Sequence, residues 1–569
     1  MKIFRLNFKP ILFFLFYVCI LILPTLGCFN LFDWDEINFA ESSREMLVSS
    51  NFSQVMINFE PFHEKPPLFF WLQVLSMKIF GIGSFAARFP NALLCIILPV
   101  VIYDIGRRLK NATFGWIWSI IFISGFLPNL YFRTGIIDPI FNLFIFLSIY
   151  FFYKYFNSLK LNNILFSALF SGLAILTKGP VGLLIVLITV LIYFVLLRKN
   201  ISLKHILSFI IIVVLVSSPW YLLELINKGP WFIVEFIQYQ LELFSKPVAG
   251  HSQPLYYHFL VVLIGCFPFS FLGLKNSFRD SGSGLDFEKM MRILLWVVLI
   301  LFTIVTTKIA HYSSMAYLPL SFLASIELFK IYNGKKFNSF LKYSLIIVGS
   351  FIGLILMSAL FVIINHKDLI LTIVKDSNTQ YLLQNQMQWL GWEWLIPVLI
   401  IVGSLFSCLF LNSRLIPSLI LYSIAMGLNF SLLCKFVVPN IENVIQGSAV
   451  SFYEDISSEK KYLTTVGFKS YAHYFYSKID LLDSNDSLYN EKKKILKTNF
   501  NSLSLNELSS EDKTRFNNFV LSWYINGNID RPVYFATKKN KINSQLEAAK
   551  NLIVIKDFGG FKFYKRELK

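Results

Sequence analysis

Asp35 and Glu36 close the string Asp33-Trp34-Asp35-Glu36, which follows the first long apolar run of the chain. A helix start needs one capping acid, and Asp33 is suited to that role. Three acids against a membrane exceed what capping requires, so Asp35 is expected to act on a substrate, with Glu36 beside it as a binding group. His63-Glu64-Lys65-Pro66-Pro67 follows. Pro-Pro is a plain helix start, but a Lys at the mouth of an apolar groove is also a point-charge ligand for phosphate. Arg133 and Asp138-Pro139 stand at the outer start of another apolar run, where Asp138 reads equally as a cap or as a working carboxylate. In Thr177-Lys178-Gly179-Pro180 the Gly-Pro pair ends the helix and holds Lys178 at its tip, to bind an anion or merely to snorkel. His251, Lys308 and His311-Tyr312 mark two further run ends. Glu64 and His251 are the candidate ligands for a divalent metal; the plain alternative is that both are hydrogen-bonding surface groups. Together these residues suit anion recognition beside a carboxylate.

The elements that must position them belong to a membrane. Of 569 residues 55% are hydrophobic and 15% are charged, and mean hydropathy is +0.59. A soluble domain carries about 25% charged residues. The composition therefore excludes a soluble globular enzyme, a disordered chain and an ordinary nucleic-acid binder, and predicts a polytopic α-helical membrane protein. All six cysteines lie in or beside apolar runs, which excludes a disulfide framework or a Cys metal site. The run from Pro10 to Phe29 is expected to be a retained first span; Thr25-Leu26-Gly27-Cys28 is a poor cleavage signal. Twelve more runs follow, from 84–106 to 415–434, which predicts about thirteen spans.

Threaded with the N-terminus inside, these spans place 20 of the 31 Lys and Arg before residue 435 on the inner side, against 5 of the 19 Asp and Glu. The net charge of +18 thus reports orientation rather than a nucleic-acid partner. Residues 1–434 form the predicted membrane domain. A long first outer loop, 30–83, is expected to lay two helices along the interface, over Asp33–Ser50 and Pro66–Gly81. Residues 435–569 are predicted to form a small C-terminal α/β soluble domain on the outer face, with strand-like runs at Tyr462–Val466, Val533–Ala536 and Leu552–Ile555. In this threading the candidate acids and lysines named above, and all histidines but His205, gather at one surface, where a lipid headgroup can enter from the side.

Asp35-Glu36-Ile37-Asn38-Phe39-Ala40-Glu41 with Arg44-Glu45-Met46-Leu47, then His63-Glu64-Lys65-Pro66-Pro67-Leu68 and Ala87-Arg88-Phe89-Pro90, resemble the outer-loop motifs of the bacterial aminoarabinose lipid A transferases. These belong to the protein mannosyltransferase-like group with the GT-C fold. Asp138 and Leu176-Thr177-Lys178-Gly179-Pro180 resemble later motifs, and Lys308 with His311-Tyr312 resembles a Lys/Tyr outer turn more loosely. The resemblance spans most of residues 1–330. It implies a glycosyltransferase in the bacterial inner membrane whose periplasmic face takes a sugar from a polyprenyl-phosphate carrier. It also implies Asp35 as principal catalytic acid, Asp138 as a second essential carboxylate, Lys65 and Lys178 on the carrier phosphate, and Glu64 with His251 beside a divalent metal; no organic cofactor is implied. The implied partners are the lipid-linked sugar donor, a glycolipid acceptor such as lipid A, and membrane lipid. Asn38 stands where those enzymes carry Arg, and Phe39 where they carry Tyr, which leaves the sugar open. Two alternatives remain: a transferase of the same fold acting on a protein or a surface polysaccharide, and a lipid or polyisoprenoid transporter. Transport predicts ionisable groups near the midplane and internal repeats, and neither is evident.

Overall fold

The computed structural model describes all residues except 1–6, 34, 63, 198–200, 247–251, 337–338, 384–386, 411–412, 503–504, 506–507, 542–543 and 569. Continuous apolar runs satisfy their backbone internally only as helices, and the chain is accordingly a helical array. It begins with α1 (Phe8–Leu21), whose first turn is capped by the Asn7 side chain. The first outer loop contains α2 (Asp35–Ser49), a small hairpin of β1 (Met56–Ile57) and β2 (Glu60–Pro61), and α3 (Leu68–Phe80). Then come α4 (Ser84–Leu109), α5 (Ala112–Ser124), α6 (Phe126–Tyr131), α7 (Asp138–Ser158), α8 (Leu161–Lys178), α9 (Val181–Leu197), α10 (Leu203–Lys228) and α11 (Trp231–Ser245). The array continues through α12 (Tyr257–Gly265), α13 (Ser270–Phe278), α14 (Asp286–Ile304), α15 (Tyr317–Tyr332), α16 (Ser339–Asn365), α17 (Lys367–Ile373), α18 (Ser377–Leu383), α19 (Val398–Phe410) and α20 (Leu415–Leu432).

All thirteen apolar runs are helical, but not all are full spans. Among the described residues, nine helices are long and apolar enough to cross a membrane. The run at 111–128 breaks at Gly125 into α5 and α6, and the run at 255–274 breaks around Pro268 into α12 and α13. The start of α14 carries Asp286, Glu288, Lys289 and Arg292, which lowers its apolar content. The two helices of the first outer loop also differ from each other. α3 turns Trp71, Leu75 and Ile79 outward, an apolar stripe suited to an interface. α2 instead is buried continuously from Glu36 to Met46. It is clamped from the C-terminal side, where Arg44 Nη2 donates to the Ile479 carbonyl at 2.9 Å.

Polar groups collect at the two ends of the array. At the end expected inside, Asp104 pairs with Arg107 at 2.6 Å and Arg108 at 2.7 Å, and Glu288 pairs with Arg292 at 2.7 Å. The opposite end holds the groups described below.

The final apolar helix does not stop near residue 434. A helical rod, with two π-helical turns at Leu433–Val437 and Asn443–Gly447, runs from Leu415 to Asp455. Residue 435 therefore lies inside the rod, which includes α21 (Val438–Glu442) and α22 (Ser448–Asp455). Beyond it are β3 (Tyr462–Val466), α23 (Ala472–Ser477), α24 (Ser487–Phe500), α25 (Ser510–Asn526), β4 (Val533–Lys538), α26 (Ser544–Ala548), β5 (Ile553–Phe558) and β6 (Phe561–Arg566). The sheet order is β3-β4-β6-β5. β3 and β4 are parallel, as the helical crossover between them requires, with Tyr462 opposite Val533. β5 and β6 form a hairpin about Gly559 and Gly560, both at positive φ. The three strand-like runs of the sequence are thus strands, and β6 is a fourth. β4 alternates between two cores: Val533 and Phe535 pack under α24 and α25, whereas Tyr534 and Ala536 join the large core of the helical array. This second face seats the C-terminal segment on the site.

Candidate active site

Helix ends set the geometry. α7 and α8 are antiparallel neighbours joined through Leu159 and Lys160, so the first residue of α7 and the last of α8 meet at the same end. Those residues are Asp138 and Lys178, with Lys178 Nζ 2.6 Å from Asp138 Oδ1. Gly179 follows at φ +102°, and a Cβ there would stand 3.1 Å from the Phe236 ring, so only glycine ends the helix at this point without strain. Asp35 opens α2, Lys65 lies just ahead of α3, and His311 and Tyr312 sit in a 3₁₀ turn, Ala310–Ala316, that leads into α15. These groups line one cavity of about 130 Å³.

One imidazole bridges two acids: His311 Nε2 is 3.4 Å from Asp35 Oδ2 and 3.8 Å from Asp138 Oδ2. The Asp35 side chain is 40% exposed and that of Asp138 is 5% exposed, so Asp35 is the carboxylate that a ligand can reach. Lys178 lies 4.8 Å over the Tyr312 ring, and Lys65 lies 5.2 Å over the Tyr239 ring. Burial holds the Lys65 ammonium below the ordinary lysine range, with Glu64 and Asp35 acting against that shift. Tyr239 donates its hydroxyl to Glu64 Oε2 at 2.8 Å, and burial together with Glu64 pushes its phenol upward. Asn38, one turn after Asp35, also lines the cavity, with its Oδ1 buried and without a hydrogen-bond partner.

The sequence-derived candidates divide. Asp35, Glu64, Lys65, Asp138, Lys178 and Tyr312 line the cavity. Glu36 does not, which corrects its expected substrate role. Its carboxylate pairs with Arg88 at 2.8 and 2.9 Å and accepts the Gly135 and Phe32 amides. One residue turns a side chain by about 100° around a helix, and that rotation carries Glu36 into the packing between loops and helices. Arg133 is likewise corrected to a structural group. It is 1% exposed and donates to the carbonyls of Leu21 and Gly427 and to Thr25 Oγ1, tying together helices distant in sequence. Lys308 is buried outside the cavity lining, its Nζ donating to the Val305 carbonyl at 3.0 Å. His251 lies outside the described residues. Asp33 accepts the Tyr471 amide at 3.2 Å and so helps to seat the C-terminal segment on the site. Glu64 is thus the described member of the expected metal pair, and no group of three His, Cys, Asp or Glu able to hold an ion occurs among the described residues.

Three lining residues carried no signal in the sequence. Tyr239 comes from α11, and Lys469 and Tyr471 come from the segment between β3 and α23. The charge of Lys469, in a polar stretch, looks like any solvated lysine. His311 was visible as a polar group at a run end, but its bridging position was not.

Comparison with known proteins fits this geometry. Residues 64–222, which include Lys65, Asp138 and Lys178, match the family described as dolichyl-phosphate-mannose-protein mannosyltransferase. The undecaprenyl phosphate-alpha-4-amino-4-deoxy-L-arabinose arabinosyl transferase of Wigglesworthia glossinidia brevipalpis is 29% identical over 357 residues, 59% of this chain and 61% of that protein. An uncharacterized protein of Aquifex aeolicus (strain VF5) is 29% identical over 348 residues, 58% of this chain and 66% of that one. The matches thus span less than two thirds of these relatives' lengths. The crystal structure of ArnT from Cupriavidus metallidurans bound to undecaprenyl phosphate superposes with a TM-score of 0.75 at 17% identity, covering 98% of this chain and 97% of that one. The structural likeness shows that the chain has the multi-pass, helical membrane fold of that ArnT, while the matched segment and the relatives are likenesses over part of its length.

Proposed function

We propose that the protein transfers a sugar from a polyprenyl-phosphate carrier to an acceptor on the periplasmic face of the inner membrane, with 4-amino-4-deoxy-arabinose and lipid A as donor sugar and acceptor. The observation that carries this reading is the cavity in which Asp35 stands open beside His311 while Lys65 and Lys178 flank it. Relatives named for undecaprenyl-phosphate-linked aminoarabinose support the donor class.

In the reaction the acceptor oxygen bonds to the anomeric carbon as the bond from that carbon to the carrier phosphate oxygen breaks. The electron pair leaves with the phosphate. Lys65, Lys178 and the neighbouring Lys469 stabilise that developing charge in a poorly hydrated site. For a hydroxyl acceptor, Asp35 takes the proton as general base, an effect of about 10²–10⁴-fold. For a phosphate acceptor, already anionic, Asp35 orients the nucleophile. Asp138 holds Lys178 over the Tyr312 ring and is a positioning residue. A single displacement inverts the anomeric configuration.

The test is mass spectrometry of lipid A and surface glycans from cells lacking the gene, complemented with wild type or with Asp35→Ala. Loss of a pentosamine-sized mass from lipid A in the deletion and Asp35→Ala strains is expected. Unchanged lipid A with another glycan altered would keep the transferase and replace its acceptor; no glycan change would overturn the reading in favour of transport.

A further inference from the structure

A second and larger cavity, about 580 Å³, lies in the C-terminal region between β3, α24 and α25. Protein interiors rarely leave voids larger than one water, whereas ligand sites span roughly 300–1,000 Å³. Part of its wall comes from the first outer loop: the hairpin turn Asn58-Phe59 and the adjoining Glu60. Asn58 and Phe59 both have φ of +56°, a costly conformation for a phenylalanine. Glu45 on α2 enforces it by accepting the Asn58 and Phe59 amides at 2.5 and 2.8 Å. A strained turn held in place by a buried carboxylate is a built wall rather than a packing fault.

The charges on this cavity are not equivalent. Arg531 is committed to Asp486 and Asp530 and stacks over the Tyr462 ring at 4.9 Å. Lys461 is committed to the carbonyls of Glu459 and Ser477 at 3.2 and 2.9 Å. Lys492, on α24, makes no ion pair among the described residues; Glu60 is the carboxylate acting on it at longer range. Thr464, Asn517 and Asn518 add hydroxyl and amide groups of the kind that bind sugar hydroxyls. The same two stretches of chain, the first outer loop and the segment after β3, contribute to the linings of both cavities. Asn58, Phe59, Glu60, His473 and Tyr474 line this one, and Glu64, Lys65, Lys469 and Tyr471 line the catalytic one.

We propose that this cavity is an acceptor subsite that takes the phosphorylated sugar headgroup of a glycolipid, with Lys492 on its phosphate, while another group of the same headgroup reaches Asp35. The proposal rests on the transferase reading and names where its acceptor docks.

The test uses the full chain in lipid nanodiscs, and direct binding of lipid A is read first, so it does not depend on turnover. Lipid A is expected to slow amide hydrogen exchange in residues 461–467 and 516–524. Lys492→Glu is expected to weaken that binding at least tenfold, Lys492→Arg to restore it, and undecaprenyl phosphate binding to stay unchanged in both. Fully dephosphorylated lipid A should bind as weakly to wild type as lipid A does to Lys492→Glu. Competition by millimolar glucosamine 1-phosphate would assign the contact to the sugar phosphate; competition by inorganic phosphate alone would reduce the site to a simple anion site and overturn the headgroup assignment. Equal lipid A binding by wild type, Lys492→Glu and a cavity-filling Thr464→Phe, all with unchanged Tm, would overturn the proposal. If wild type and variants differ as expected but no sugar is transferred, the subsite stands and the transferase reading fails.

Discussion

His311 Nε2 lies 3.4 Å from Asp35 Oδ2, and this contact separates the roles of the two acids in the site. Asp35 keeps an exposed side chain, whereas Asp138 is occupied by Lys178. Asp35→Asn keeps the shape and removes the base. With a hydroxyl acceptor it is expected to lower single-turnover rate by about 10²–10⁴-fold. Carrier affinity should stay within about threefold, since in the proposed reaction the lysines, not Asp35, meet the phosphate. Single-turnover kinetics with carrier binding measured in parallel check both parts.

Asp138 and Lys178 form a mostly buried pair at 2.6 Å. Removing one partner of such a pair costs about 3–5 kcal/mol, chiefly through the charge left behind. Lys178→Met and Asp138→Asn are each expected to lower Tm, and the double variant to recover much of the loss, because no lone charge remains. None of the three should restore transfer. Thermal unfolding across the double-mutant cycle measures the coupling; strictly additive losses would show that the pair is not a unit.

Lys65 binds an anion only while protonated, and burial holds its ammonium below the ordinary lysine range. Carrier affinity should therefore decline as pH rises through that lowered value, earlier than for an exposed lysine. A bound phosphate opposes the shift, so carrier binding takes up protons on the alkaline side. Lys65→Arg stays charged and should flatten the alkaline limb. Undecaprenyl phosphate titrations between neutral and alkaline pH read this directly.

His473, on α23 in the wall of the larger cavity, is 2% exposed, and burial pushes its imidazole down from 6.5 to about 3. The folded state keeps the ring neutral while the unfolded chain takes up a proton below pH 6.5. The unfolded state then binds more protons, so stability rises with pH between about 3 and 6.5 and is lost as pH falls through that window. His473→Phe should reduce the slope. Denaturant unfolding of the full chain at several acid pH values tests this; identical slopes would refute it.

Helix ends and the charges fixed to them were legible in the sequence. Asp35, Lys65, Asp138 and Lys178 stand beside apolar runs, punctuated by Pro or Gly, and membrane burial leaves such charges few neutral uses. Three of the four strands of the C-terminal sheet were legible for the same local reason, since side-chain periodicity follows from backbone geometry. Which face of each element meets the cavity was not. Glu36 adjoins Asp35 in sequence, yet its carboxylate ends on Arg88, and Arg133 spends its guanidinium on carbonyls of helices far away in the chain. Tyr239, Lys469 and Tyr471 enter the site only when distant segments close over it, as in the contact between Asp33 and Tyr471, 438 residues apart. Local periodicity and end signals determine that a helix exists and where it stops. Its rotation and neighbours are set by packing across hundreds of residues, and that packing decides which charges face the cavity and which are sealed into the frame.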